Sequence, residues 1–279
     1  NNGKRVTGFE EKVLQPSFIY APSRVLYGIS IESEEPLVKV LGNLMPILGE
    51  MNVEVLHVLS SIRGGRCRTV VFLDLTDSKG DPGRIVGEVS RAFKDARVEP
   101  IKPIAAGMIA DLKGVPQIPG AHRVIMFTDT DFKGLIKGLK DRIGEGAAMA
   151  ILYNLGLELG KSFGVGLKII GKKLGVHGPR EIFRKIFMPL FQITGFGVAE
   201  ATYENISPFR LIVRVEKSFE CELSKGSGKP SSFFTRGLMV GVVEELFGIS
   251  PIVAIETACI ARGDPHCEFV IAPKPFEIQ

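Results

Sequence analysis

The chain has 279 residues, 45% hydrophobic and 24% charged, with a formal net charge of +4. That length accommodates two ordinary domains, and the apolar fraction excludes a disordered chain. A charge of +4 is too mild to imply a nucleic-acid partner, four cysteines are too few for a disulfide scaffold, and no apolar run approaches the roughly 18–20 residues of a membrane span. The cysteines fit a reducing compartment, and residues 1–20 are polar and mixed, so a soluble cytoplasmic protein is expected.

Residues 1–20 have no period and read as an N-terminal arm. From Arg24, R-V-L-Y-G-I-S-I-E alternates as a strand with one buried face. P-L-V-K-V-L-G-N-L-M then places Leu37, Val38, Leu41, Leu44 and Met45 on one helical face. V-E-V-L-H-V-L-S-S-I is a second strand, R-G-G-R (63–66) a hairpin turn, and C-R-T-V-V-F-L-D-L a third strand. D-P-G-R (81–84) opens a helix with aspartate at the cap and proline at its first position, burying Ile85, Val86, Val89 and Phe93. V-E-P-I-K-P-I (98–104) is a fourth strand, and its prolines put it at an edge. The order β-α-β-β-α-β over residues 21–106 predicts a ferredoxin-like domain.

Residues 107–122 read as a connector with a short strand at Gly107–Leu112. A second domain, 123–279, is expected to begin with the strand R-V-I-M-F-T. An amphipathic helix follows, with Phe132, Leu135, Ile136, Leu139 and Ile143 inward. Residues 147–163 are apolar around nearly the whole circumference, which predicts a buried helix. Its Gly156 and Gly160 permit close backbone approach. The segment 178–195 carries Ile182, Phe183, Ile186, Phe187, Leu190 and Phe191 on one helix, with a kink expected at Pro189. Strands are predicted near 197–204, 208–216 and 218–224, then a helix bearing Gly237 and Gly241 and ending at Gly248. The whole reads as α+β, the second domain being an antiparallel sheet packed by helices.

The chemistry concentrates in E-T-A-C-I-A-R-G-D-P-H-C-E-F, Glu256 to Phe269. Carboxylate, thiolate and imidazole are the usual ligands of tetrahedral Zn²⁺, and a turn after a strand can bring Cys259 and Cys267 to one ion. The spacing is wider than that of a short zinc knuckle, so two small buried cysteines at a strand end are the plain alternative. Cys221, in S-F-E-C-E-L, is expected on a strand just upstream, and His266 directly precedes Cys267.

The run G-x3-G-x6-G followed by E-x2-C-x3-G-x3-C-x-F resembles the 4-vinyl reductase domain family, the predicted hydrocarbon-binding module, over about residues 120–275. Its relatives include sensor domains of activators that respond to aromatic compounds, a bacteriochlorophyll biosynthesis protein and, more distantly, the TRAPP tethering subunits. The resemblance implies a zinc held by Glu256, Cys259, Cys267 and a third cysteine about five residues before Gly237. That place holds Ser231-Ser232 here, so Cys221, His266 or water takes the fourth position, or the site is empty. Such a zinc is expected to be structural or ligand-gating rather than catalytic. The resemblance also implies a ligand between helices and sheet, for which Tyr153, Phe187, Phe191, Gln192 and Tyr203 are the candidates; with no tryptophan, no indole anchor exists. The first domain is similar in element order to ACT domains. Its loop E-S-E-E-P (32–36) lacks the glycine of their ligand sites, so a dimerising or signal-transmitting role is expected there.

Lys168, Lys172, Lys173, His177, Arg180, Arg184 and Lys185 form a basic run, either a solvated surface or a patch for an acidic partner or nucleic acid. No nucleophile elbow, phosphate loop or hydride-donor fingerprint is present, so a non-enzyme is expected. The expected function is a homodimeric sensor of a small, largely apolar molecule with a zinc site and a protein partner for its output. The alternatives are an enzyme or accessory factor in tetrapyrrole or hydrocarbon metabolism, or a scaffold and interaction module.

Overall fold

A computed structural model of the chain describes residues 18–63, 65–113, 117–118 and 122–274. The chain divides into two compact units, Asn1–Ile125 and Met126–Gln279, both mixed α+β with antiparallel sheets.

The first unit runs β1 (Phe18–Tyr20), β2 (Leu26–Ser33), α1 (Leu37–Glu50), β3 (Glu54–Arg63), β4 (Arg66–Asp74), α2 (Pro82–Ala92), β5 (Arg97–Ile101), β6 (Met108–Ala110), β7 (Gln117–Ile118) and β8 (His122–Arg123). Its main sheet has the order β3-β4-β2-β5, antiparallel throughout, with β5 at the edge. Asp81 caps α2 as expected, its Oδ1 accepting the Arg84 N–H at 3.0 Å, with Pro82 next in line. Strand β2 is covered on both faces. Ile29 and Ile31 meet Val40, Leu44, Ile85 and Val89 of the helices, while Leu26 joins Val70, Phe72 and Ile109 on the other side. The expected arm lies mostly outside the described residues, but its last three pair with β6, Phe18 opposite Ala110. Arg68 fixes the chain after β6 through a two-pronged pair with Asp111, at 2.6 and 2.9 Å.

The second unit runs α3 (Asp129–Ile143), α4 (Glu145–Leu174), α5 (Pro179–Ile182), a π segment (Phe183–Phe187), α6 (Met188–Ile193), β9 (Val198–Ile206), β10 (Phe209–Glu216), α7 (Phe219–Leu223), α8 (Phe233–Phe247), β11 (Ile252–Ala258) and β12 (Cys267–Pro273). The sheet order is β11-β12-β10-β9, antiparallel. Helix α8 is buried around most of its surface, and α4 packs along it. The two backbones touch: a Cβ added to Gly156 or Gly160 would strike the carbonyl of Phe234 or Leu238. One added to Gly237 or Gly241 would strike that of Tyr153 or Leu157. The glycines therefore serve helix packing.

Five local expectations are corrected. Residues 124–128 form no strand; Ile125, Met126 and Phe127 are exposed, and no strand among the described residues pairs with them. Residues 219–223 are the short helix α7, not a strand. Five residues with the pattern F-E-C-E-L are too few for a helical period to show, and their alternation imitates a strand. No residue of α3 is buried, and Leu135 and Ile143, expected inward, are exposed. Helix α4 buries a single face rather than its circumference. Before Pro189 the helical run widens into π geometry, the Met188 N–H bonding the Phe183 carbonyl, because proline offers no N–H of its own.

Four of the seven residues of the basic run form ion pairs. Arg180 and Arg184 converge on the buried Glu204 carboxylate at 2.9 and 3.3 Å, Lys168 meets Glu245 at 2.7 Å and Lys185 meets Glu181 at 2.8 Å. Among the described residues no helix is long and apolar enough to cross a membrane.

Candidate metal centre

Four elements converge on one buried spot in the second unit. Helix α7 brings Cys221, the end of β11 brings Glu256, the turn after it brings Cys259, and the first residue of β12 is Cys267. A bulge between Glu256 and Ala258 ends the regular β11–β12 register just where the chain must turn. The three sulfurs and a Glu256 oxygen all lie within 4.8 Å of one another. Cys221 Sγ is 3.4 Å from Cys259 Sγ and 3.9 Å from Glu256 Oε1. His266 is not in this group.

Ser232, the cap residue of α8, fills the position where the resemblance called for a cysteine. Its hydroxyl donates to Glu256 Oε1 at 2.7 Å and lies 2.8 Å from Cys221 Sγ. Cys221 therefore enters from a different element and supplies a third sulfur. The Ile260 N–H points at Cys267 Sγ at 3.4 Å, and the Cys259 N–H is held by Asp264 at 2.8 Å, which fixes the turn.

Because its hydroxyl turns inward, Ser232 does not cap α8. Glu220 does so from outside the helix: its two oxygens accept the N–H groups of Phe234 and Thr235 at 2.9 and 2.8 Å. Burial raises the Glu220 carboxyl to about 7 against the pull of these donors. This residue was missed in the sequence, where it looks like any surface glutamate. Glu220→Ala leaves two buried donors unpaired, and urea unfolding should show a loss of about 2–3 kcal/mol. Glu220→Gln, which keeps acceptor capacity, should lose less.

The donor set fits a divalent cation. Tetrahedral zinc with bonds of about 2.3 Å to sulfur holds its ligands roughly 3.5–4 Å apart, inside the spread seen here. Glu256 Oε2 is buried without any partner. Without a cation the cluster disfavours its own ionisation. The Cys267 thiol beside it and burial push Cys221 upward, and burial followed by Glu256 pushes Cys259 up to about 12. A bound cation reverses that logic and favours the thiolates.

Beside this cluster stands a group of half-buried rings that the sequence did not single out. Phe132 of α3, Phe196, Phe219 of α7 and Phe234 of α8 meet with centroids 4.9–6.2 Å apart. The available signal was position: Phe219 and Phe234 each stand two residues from a residue of the cluster, Cys221 and Ser232. Of the sequence candidates, Phe187 and Phe191 touch one another, 5.7 Å between centroids, deep in the core. Gln192 and Tyr203 are exposed. Tyr153 is half-buried, and burial raises its hydroxyl, with charges of Arg236 and Glu244 nearby. Phe191 also stacks on Phe196 of that ring group, with 5.2 Å between centroids, so one of the sequence candidates packs directly against it.

The model of the 4-vinyl reductase domain matches residues 211–273, the stretch from β10 to β12 that contains the whole cluster. An uncharacterized protein of Methanocaldococcus jannaschii is 23% identical over 122 residues, 44% of this chain and 63% of that protein, so the chain spans less than two thirds of that relative. The phenol-responsive sensory domain of the transcription activator PoxR, solved with phenol, superposes with a TM-score of 0.50 at 20% identity, covering 57% of this chain and 81% of that one. A vinyl-4-reductase family protein from M. jannaschii superposes with a TM-score of 0.32 at 18% identity, covering 54% and 98%. The PoxR likeness is one of fold. The second unit is thus an α+β module whose candidate metal ligands all fall within a 4-vinyl reductase domain match.

Proposed function

We propose that the chain is a sensor of a small, largely apolar molecule, with zinc at Cys221, Glu256, Cys259 and Cys267 as a structural support of the ligand site. The observation that carries this reading is the juxtaposition of a buried thiol–carboxylate cluster and a packed group of half-buried phenylalanines, inside a unit whose cluster lies within the 4-vinyl reductase domain match. Aromatic rings with few polar groups suit an aromatic ligand. Helix α3 reaches this group through Phe132 and has no buried residue, so it is the element that can lift and part the rings to admit one. When bound, zinc holds α7, β11 and β12 together. The chain's own residues do the rest: the rings bind, Glu220 and the backbone of α8 hold Phe234 in place, and α3 excludes water. The fold likeness to a phenol-responsive domain supports the class of ligand at this coarse level only. The first unit is read as a ferredoxin-like, ACT-like module that conveys the signal, and the output as a change in how two copies meet.

Phenol and toluene are the probes. At a concentration about a hundredfold above its dissociation constant, a ligand stabilises by ~2.7 kcal/mol, which raises the melting temperature of a unit this size by several degrees. Phe219→Ala and Phe132→Ala should abolish that rise. No rise with any aromatic or aliphatic probe would overturn the sensor reading in favour of a scaffold. Turnover with a nicotinamide or flavin would overturn it in favour of an enzyme.

A further inference from the structure

The candidate metal centre joins segments of unequal rigidity. Cys267 opens β12, lies opposite Val215 of β10, and receives the Ile260 N–H at its Sγ. Cys221 stands on α7, a helix of five residues, and Cys259 on the turn that follows β11. Neither of these two is part of a sheet. Their sulfurs are 3.4 Å apart. A disulfide bond is about 2.05 Å long, so a shift of about 1.4 Å, shared between a short helix and a turn, would bond them.

Both residues are buried, yet a groove of about 550 Å³ opens alongside. It is lined by Glu222, the residue after Cys221, and by Ile260, Gly263, Asp264 and Pro265 of the turn that carries Cys259. Small solutes therefore reach the outer side of both segments. Cysteines that respond to oxidants combine thiolate character with a second cysteine in reach. A bound cation supplies the first, and the 3.4 Å separation supplies the second.

We propose that Cys221 and Cys259 are an oxidant-sensitive latch on the metal centre, which hydrogen peroxide closes into a disulfide with release of the zinc. The proposal rests on the metal reading above and gives that centre its regulation. One thiolate attacks the peroxide O–O bond, becoming a sulfenic acid and releasing hydroxide. The other thiolate attacks that sulfur, the S–S bond forms and a second hydroxide leaves. Two electrons pass from the sulfurs to the peroxide, and two protons from solvent turn the hydroxides into water. Cys267 and Glu256 remain, two ligands where tetrahedral zinc takes four. Cys267 stays out of the bond because its place in the β10–β12 ladder holds it still. Closure draws α7 toward the turn and shifts Phe219, two residues before Cys221, against Phe132 and Phe196. Oxidation is thereby felt in the ring group.

The test is hydrogen peroxide on the full, zinc-loaded chain, read by a chromogenic zinc chelator, intact mass and peptide mapping after alkylation. The expected result is release of about one zinc per chain, loss of two hydrogens in mass, and a Cys221–Cys259 link, with Cys67 and Cys267 still alkylated. Dithiothreitol with zinc should restore the starting state. Cys67→Ser should respond as the wild type does, since Cys67 contacts Ser60 and Thr69. A link through Cys267 or Cys67 overturns the proposal. So does zinc release with sulfinic acids and no disulfide, or a chain whose four cysteines still alkylate after peroxide. A chain that takes up no zinc is treated in the same way. A Cys221–Cys259 link there keeps the thiol pair and removes the zinc, whereas a zinc-bound chain that resists peroxide removes the latch and keeps the zinc.

Discussion

Gly241→Ala should cost the second unit about 3–5 kcal/mol, one of the largest losses available to a single methyl group in this chain. The new Cβ would collide with the Leu157 carbonyl and lie 2.8 Å from the Lys161 nitrogen. Both are backbone atoms, so no rotamer change relieves the clash and the helices themselves must part. Parting them opens the most extensive helix contact in the unit. Gly237→Ala, against the Tyr153 carbonyl, should behave alike. Gly134→Ala on α3 is the control: nothing lies within 4 Å of its added Cβ, so better helix propensity should gain roughly 0.5–1 kcal/mol. Thermal and urea unfolding decide the matter, with a fall of about 10 °C expected for Gly241→Ala. A loss under ~1 kcal/mol would mean that the two backbones do not touch.

Cys221→Ser should strip zinc from the protein, and adding Ser232→Cys in the same chain should return it. Ser232 Oγ already stands 2.8 Å from Cys221 Sγ and 2.7 Å from the Glu256 carboxylate. Moving the thiol across that gap rebuilds three sulfurs and a carboxylate. Elemental analysis of chain purified without added metal should find about one zinc in the wild type and in the double variant, and little in Cys221→Ser, Cys259→Ser or Cys267→Ser. Cys67→Ser, in the other unit, should keep its zinc, since Cys67 contacts Ser60 and Thr69 rather than the cluster. Lost ligands should weaken binding well over ~100-fold, more than typical outer-shell changes do. Metal-free wild type would remove zinc from the proposal, and equal zinc in all variants would remove the ligand assignment.

The order of elements in the first unit was readable, but not every face: Val38, expected inward on α1, is exposed while Val40 is buried, and β2, expected to bury one face, is covered on both. The alternation around Ile29 and Ile31, the Asp81-Pro82 cap and the two prolines after Val98 each fixed an element near where it lies. Gly156 and Gly160 of α4 were readable because a four-residue spacing of small side chains permits close backbone approach, whereas the matching role of Gly237 and Gly241 in α8 was not read. What could not be read depended on partners distant in sequence. Cys221 was a candidate for the fourth ligand, but the helix α7 that delivers it was read as a strand, because five residues carry no period. Glu220 is buried only because α8 begins shortly after α7 and needs an acceptor there. Phe132, Phe196, Phe219 and Phe234 meet from four separate segments. The apolar circumference of α4 announced burial all round, whereas within the unit only one face of it is buried.

The glycine contacts between α4 and α8 also set the mechanical character of the second unit. Side chains between two helices act as compliant padding that absorbs a small push by changing rotamer. Between Gly156, Gly160, Gly237 and Gly241 there is no padding. A displacement of the first turn of α8, where Ser232 meets the thiols and Phe234 meets the rings, is therefore handed to α4 nearly undiminished. The two helices thus make one stiff unit, with the cluster at the N-terminal end of α8.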